Sequence, residues 1–269
     1  GGAEEFAKKS KIIHIELDPS EICKNVNACL SLVSDAKKVL RNLLKTIQPL
    51  TIKNSGWLER VNELKSNYRE PQNCEDQPLE PRRLLKELRE ILPRNTIITT
   101  EIGQNQMWTG VYFKMYSPRT FISSGGLGTM GFGFPAALGA KVAKPNVPVV
   151  DISGDGSFLM CEHELATSVE EDIPVIVVIL NNRVLGMVAQ WQRIIHKRHS
   201  QIHLGHTTDF VKLAEAYGAN GVKVDSYHTF RKAVKEALNS DVTTVIDVPI
   251  PLEEDVKPMV LPKGVLNVG

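Results

Sequence analysis

Two apolar runs rich in Val and Ile, VPVVDI at 147–152 and PVIVVIL at 174–180, leave this chain few folds to choose from. A strand buried on both faces reads as a continuous hydrophobic run, and such strands belong to parallel sheets covered by helices. Both runs are too short for buried helices, and their β-branched content favours strands. Between them stand Gly154-Asp155-Gly156-Ser157 and a stretch, 158–171, that reads as a helix. A right-handed βαβ crossover of this length brings the carboxyl ends of both strands side by side at one sheet edge. The same alternation fills the flanks. Helix 82–92, strand 96–102, helix 106–115, strand 120–123 and helix 133–143 precede the two runs. Helix 209–217, strand 221–224, helix 229–239 and strand 243–248 follow them. The expectation is an α/β fold built on a doubly wound parallel sheet.

In open α/β sheets ligands bind at the carboxyl ends of strands, and here those ends are polar. Asp155 follows the first run and Asn182 the second, 27 positions later. Asp155 supplies a hard anionic oxygen and Asn182 a neutral carbonyl oxygen. Magnesium takes octahedral oxygen ligands, commonly one or two protein groups with water and substrate phosphates. The helix after Gly-Asp-Gly offers N–H groups and partial positive charge suited to phosphate. A Gly-Asp-Gly turn alone is an ordinary strand-to-helix turn; Asn182 at this separation turns it into a candidate metal-diphosphate site.

Gly-Asp-Gly followed by Asn-Asn at this spacing resembles the diphosphate-binding motif of thiamine-diphosphate enzymes. Three further blocks narrow the resemblance: GQNQMW at 103–108, SSGGLGTMGFGFPAALGA at 123–140 and NNRVLGMVAQWQ at 181–192. Together they resemble the large catalytic subunits of acetolactate synthase, also called acetohydroxyacid synthase, over about 11–259. The resemblance implies thiamine diphosphate, Mg2+ and FAD as cofactors. It implies a cytoplasmic transferase of branched-chain amino acid biosynthesis that condenses two pyruvates, or pyruvate and 2-ketobutyrate, with loss of carbon dioxide. The family forms dimers or tetramers and works with a regulatory small subunit. Two alternatives stand beside this: another thiamine-diphosphate 2-ketoacid decarboxylase, against which Met187 and Trp191 argue, and a non-catalytic cofactor-binding or assembly module.

By the same resemblance, Asp155, Asn182 and the main-chain carbonyl of Val184 hold magnesium, Val184 standing where the family commonly has His. Gln104 and Asn105 lie near the diphosphate, Asn105 where plant and fungal relatives have His, and Gly154, Gly156 and Ser157 complete its cradle. Gly128 accepts from the aminopyrimidine, and Met130 wedges the cofactor into its bent form. Gly186, Met187 and Val188 touch cofactor or substrate. Met187 and Trp191, four apart and so on one helical face, line the acceptor pocket. Glu16 and Asp35 border the family's FAD site, although most upstream FAD contacts fall outside this chain. The glutamate that activates the cofactor belongs to the family's amino-terminal domain. No complete catalytic set is therefore expected here, and the chain alone is expected to be inactive.

The implied organisation is a remnant of a second, Rossmann-like middle domain at 1–46, a linker at 47–80, the thiamine-diphosphate-binding domain at 81–250 and a tail at 251–269. Within the remnant the pattern predicts a strand at 11–17, a short helix at 19–24 and a longer one at 35–44; the Pro-rich connector holds a possible helix at 57–68. With 23% charged residues and a net charge of +1, nothing steers the protein toward nucleic acid. No apolar run approaches the roughly 20 residues that span a bilayer, so no membrane partner is expected. Cys23, Cys29, Cys74 and Cys161 lack CxxC spacing and read as reduced thiols. Glu162, His163 and Glu164 point different ways on a helix and so read as surface groups. His196, His199, His203 and His206 match no zinc spacing and read as a mobile, solvated loop.

Overall fold

The structure, a computed structural model, describes residues 2–47, 56–67, 78–205, 207–257 and 259. They form two compact units, one of the described residues up to 67 with Lys257 and Met259, the other of residues 78–256.

The first unit holds strand β1 (Ile13–Glu16), strand β2 (Leu30–Val33), helix α1 (Ala36–Thr46) and helix α2 (Trp57–Asn67). β1 and β2 pair in parallel, from Ile13 opposite Leu30 to Glu16 opposite Val33. The expected helix at 19–24 is only a 3-10 turn at Pro19–Glu21, started by the Asp18 carboxylate accepting from the Ser20 N–H at 2.8 Å. The chain there must turn back to lay down β2, whose short sequence LSLV gave no strand signal. The predicted linker at 47–80 includes α2; its residues 48–55 and 68–77, with Cys74, lie outside the described residues, as do His206 and 260–269 of the tail.

The second unit begins with α3 (Pro81–Ile91), β3 (Ile97–Thr100), α4 (Gln104–Tyr112), β4 (Phe121–Ser123) and α5 (Gly133–Ala143). It continues with β5 (Val149–Gly154), α6 (Asp155–Phe158), α7 (Glu164–Glu170), β6 (Ile176–Asn181) and α8 (Gly186–His196). It ends with α9 (Phe210–Ala216), β7 (Asn220–Lys223), α10 (Tyr227–Ala237) and β8 (Thr244–Pro249). The six strands β3 to β8 make one wholly parallel sheet in the order β4-β3-β5-β6-β8-β7.

Apolar side chains alternate across the central strands, and both faces are buried. Val150, Ile152, Val178 and Leu180 pack with Leu84, Leu88, Trp108, Phe230 and Val234 of α3, α4 and α10. Val149, Val177 and Ile179 face the other way, onto Phe134, Ala137, Leu165, Phe210 and Ala214 of α5, α7 and α9. Two covered faces are what makes the strand sequences continuous in apolar character.

Several boundaries move for local reasons. α4 starts at Gln104 rather than 106, because Gly103 at φ +144 breaks the chain out of β3 in a conformation open to glycine. The predicted helix 158–171 is two helices: α6 is one turn long, and α7 begins only at Glu164. Phe158 ends α6 with its ring buried against Phe134 and Phe210, centroids 5.5 and 6.0 Å away. α10 starts two residues early because Ser226 and Thr229 form a capping box. The histidine-rich segment after α8 is exposed at His196, His199 and His203 but is not a free loop. It folds back on 183–185 through a Val184–His203 bridge and bonds from the Leu185 N–H to the Ile202 carbonyl and from the Leu204 N–H to the Arg183 carbonyl, with Ile202 buried.

Phe158 ties the turn after β5 to the core, so Phe158→Ala is expected to lower unfolding free energy by about 3–5 kcal/mol, read from denaturant midpoints. A loss below about 1 kcal/mol would mean that the ring does not anchor the turn.

Candidate functional site

β5 and β6 end level, Gly154 opposite Leu180, and β3 stops beside them at Thr100. Beyond their carboxyl ends lies a cavity of about 270 Å³. Gln104 and Asn105 enter it from the first turn of α4, Gly128 and Met130 from the glycine-rich segment before α5, and Gly154, Asp155, Gly156 and Ser157 from the turn into α6. Asn182 and Val184 reach it from the end of β6, and Gly186, Met187 and Val188 from the start of α8. Trp191 does not line it; the indole is half-buried one turn farther along α8. Glu16 and Asp35 belong to the other unit. There Glu16 Oε1 accepts from the N–H groups of Leu17 and Asp18 at 2.7 and 3.2 Å, and Asp35 caps α1 by accepting from the Lys38 N–H at 3.0 Å.

The two asparagines at the end of β6 have different tasks. Asn181 donates from Nδ2 to Asp247 Oδ1 on the neighbouring β8 at 2.8 Å and helps fix the sheet edge. Asn182 lines the cavity, donates from Nδ2 to Gln104 Oε1 at 3.3 Å and accepts on Oδ1 from the Val184 N–H at 3.3 Å. The Gln104 amide lies over Gly186: a Cβ there would stand 2.2 Å from Gln104 Oε1 and 2.9 Å from Asn182 Nδ2. Any larger residue would push this contact apart.

Asp155 is buried, and burial pushes its carboxyl up to about 6, although N–H groups of Gly156 and Arg183 bond to it. A buried carboxylate beside an open cavity is the group that a bound cation would stabilise in its charged form. Among the described residues no cluster of three or more His, Cys, Asp or Glu could hold a metal by itself. One carboxylate, one amide oxygen and main-chain oxygens make a partial shell that suits magnesium only when ligand oxygens complete it. The donor set therefore fits a magnesium-diphosphate group.

Beneath the cavity sits a feature the sequence reading missed. Glu101 and Asp151 are both fully buried. Glu101 Oε2 accepts from the Gly133 N–H at 2.9 Å and Oε1 from the Gly154 N–H at 3.3 Å, so one carboxyl links the start of α5 to the end of β5. Asp151 accepts from Thr99 Oγ1 at 2.9 Å and from the Ser153 hydroxyl. The two carboxyls meet over Gly133, where a Cβ would lie 2.1 Å from Glu101 Oε2 and 2.3 Å from Asp151 Oδ1. Burial raises both, Glu101 to about 7 against the opposing bonds from Gly133, Ser153, Gly154 and Ser157, and the Glu101 charge raises Asp151 further. The available signal was Asp151 itself, a charged residue inside a run that is otherwise all apolar.

A carboxyl raised above its unfolded value binds its proton more tightly in the folded chain. Its contribution is complete below about 4.5, the ordinary glutamate value, and is lost as pH climbs through about 7. Wild-type stability is thus expected to decline between pH 5 and 8, and Glu101→Gln, which keeps a neutral side chain of the same shape, to flatten that decline. Denaturant midpoints across this range provide the check; parallel curves for the two proteins would show that Glu101 does not titrate there.

The family described as thiamine pyrophosphate enzyme, C-terminal TPP binding domain, matches residues 101–248, more than half of the chain. The probable acetolactate synthase large subunit of Methanocaldococcus jannaschii is 50% identical over 275 residues, covering 99% of this chain and 46% of its own length. Acetolactate synthase isozyme 3 large subunit of Escherichia coli is 36% identical over 269 residues, covering 96% of this chain and 47% of its own length. Chloroplastic acetolactate synthase 1 of Zea mays is 37% identical over 276 residues, covering 98% of this chain and 43% of its own length. The chain thus spans somewhat less than half the length of these curated relatives.

Proposed function

Since the chain belongs to the thiamine pyrophosphate enzymes, whose C-terminal cofactor-binding domain it carries, we propose that it is the cofactor-holding part of an acetolactate synthase large subunit. The observation that carries this reading is the meeting of Asp155 and Asn182, from the ends of β5 and β6, in one cavity with Gln104, Gly128, Met130 and Met187. Thiamine diphosphate, when bound, supplies the carbanion chemistry that removes carbon dioxide from one 2-ketoacid and joins the remainder to a second.

The chain's own residues bind and orient. Asp155, Asn182 and the Val184 carbonyl would hold Mg2+. Gly154, Gly156, Ser157, Gln104 and Asn105 would receive the diphosphate. Gly128 and Met130 would set the position of the rings, a packing role that suits a flexible thioether. Gly186, Met187 and Val188 would form the substrate wall, with Trp191 one turn beyond. Among the described residues Asp155 is the one carboxylate in the cavity lining, and its metal task leaves no free acid among them to activate the cofactor. The isolated chain should therefore turn over slowly at best.

The finer assignments belong to the same proposal. The substrates are two pyruvates or pyruvate with 2-ketobutyrate, in branched-chain amino acid biosynthesis. Glu16 and Asp35 border an FAD site. Exposed Leu127, Met160 and Val188 near the cavity support a homo-oligomer, a dimer or tetramer, with a regulatory small subunit as a further partner. Among the described residues Cys23, Cys29 and Cys161 are free thiols, which supports a reducing, cytoplasmic setting, and no helix is long and apolar enough to cross a membrane.

Three measurements test the reading. Binding of thiamine diphosphate to this chain should require Mg2+ and disappear in Asp155→Ala; binding indifferent to both would remove the proposed site. In the intact large subunit, pyruvate should give acetolactate, and release of acetaldehyde instead would favour a decarboxylase. There Trp191→Leu should shrink the preference for 2-ketobutyrate over pyruvate as acceptor, a discrimination of about 1–3 kcal/mol for one methylene. An unchanged product ratio would take Trp191 out of the acceptor pocket.

A further inference from the structure

A side-chain amide presents an oxygen at one end and an NH2 of nearly the same shape at the other, so only Oδ1 of Asn182 can ligate a cation and something must choose which way the amide points. Two main-chain groups bear on the choice: the Val184 N–H donates to Asn182 Oδ1 at 3.3 Å, and the Val256 peptide acts on Nδ2 through two glutamines. The Val256 N–H donates to Gln190 Oε1 at 3.1 Å, and the Val256 carbonyl accepts from Gln190 Nε2 at 3.3 Å. A peptide group held in place cannot exchange its donor and acceptor, so this pair of bonds forms with Gln190 in one orientation only. Gln190 Oε1 then accepts from Gln104 Nε2 at 2.7 Å, and the same Nε2 donates to the Glu254 carbonyl at 2.9 Å. Gln104 is thereby turned with Oε1 toward Asn182, whose Nδ2 donates to it at 3.3 Å. Nδ2 is engaged on that side, and Oδ1 points away from Gln104.

Reversing Gln190 would set its NH2 against the Val256 N–H and the Gln104 NH2, bringing donors together in a buried place; Gln104 and Gln190 are 4% and 2% exposed. Unpaired buried polar groups of this kind are costly. The segment that starts the relay is itself fixed. Val256 is buried in the core, and Asp255 pairs with Arg193 of α8. Gln190 does not line the cavity and is joined to Asn182 through Gln104.

We propose that Gln190 is a positioning residue for the metal site: it carries the polarity of the Val256 peptide through Gln104 and holds Asn182 with its carbonyl oxygen available to the cation. This rests on the metal-diphosphate reading above. Groups behind a metal ligand typically change metal affinity by about 10- to 100-fold when removed.

The test is a Mg2+ titration of thiamine diphosphate binding to the chain, with the unfolding midpoint measured in parallel. Gln190→Met keeps length and bulk but carries no polarity. It should raise the half-saturating Mg2+ concentration about tenfold, with cofactor affinity recovering at saturating Mg2+. Val256→Pro removes the N–H that starts the relay and leaves Gln190 in place; it should shift the Mg2+ requirement in the same direction, and it decides the matter where Gln190→Met does not fold. A merely structural role would lower the unfolding midpoint or the binding capacity and leave the Mg2+ requirement of the folded fraction where it was; that result in both variants overturns the proposal. Wild-type binding that needs no Mg2+ would instead overturn the reading beneath it, a different observation from the same titration.

Discussion

The pairing of β5 with β6 is the constraint on which the rest of the structure depends. Val150 lies opposite Ile176, and the register runs on to Gly154 opposite Leu180, so the turn carrying Asp155 and the end carrying Asn182 emerge level. Since both faces of these strands are buried, one step of slippage would exchange the residues facing α3 and α10 for those facing α5 and α7. The core thus fixes the register, and the register fixes the distance between two polar groups that are far apart in sequence. Polar chemistry gathers at the strand ends because the interior of such a sheet has little room for it.

Glu101 and Asp151 are the exception. Burying a charge is costly unless hydrogen bonds or partners offset it. Here main-chain N–H groups of Gly133 and Gly154 and the hydroxyls of Thr99 and Ser153 perform that task. In return the pair fastens the beginning of α5 to the end of β5, which sets the glycine-rich wall of the cavity beside the Gly-Asp-Gly wall. Asn105 joins the same group: Nδ2 donates to Thr100 Oγ1 at 3.1 Å and to the Ile152 carbonyl at 3.0 Å. The floor of the site is therefore rigid and polar, while Met130, Met187 and Val188 supply soft apolar sides.

What the sequence made legible follows the same physics. Continuous Val- and Ile-rich runs announce two-sided burial, so β5, β6 and the α/β class could be read without coordinates. β2 could not, because LSLV is short, partly polar and paired along only one neighbour in its unit. The break between α6 and α7 escaped because a helical pattern does not record where Phe158 must turn inward to meet Phe134 and Phe210. Motif spacing placed Asp155 and Asn182 at neighbouring strand ends, and the family resemblance supplied the other expected residues that line the cavity. The residues that hold them, Glu101, Asp151 and Gln190, left weaker marks: each has a partner 32 to 86 positions away, and no local pattern encodes such distances. Trp191 shows the converse limit, as helical spacing placed it on the face of Met187 but could not tell how far the cavity extends along α8.

The amide relay adds a second kind of dependence to the one the sheet imposes. Sheet register sets where Asn182 stands, but a register acts on main chain and cannot choose between the two ends of a side-chain amide. That choice needs groups of fixed polarity: the Val184 N–H bonds to Oδ1 directly, and the Val256 peptide, beyond the last strand of the sheet, engages Nδ2 through Gln190 and Gln104. Position and orientation of one side chain are thus set by different parts of the chain. The sheet is complete at Pro249, with the cavity-lining residues before it, yet the orientation of Asn182 also draws on residues 254–256. The functional unit in the physical sense is larger than the lining of its cavity, and its boundary is drawn by hydrogen-bond polarity rather than by proximity to the ligand.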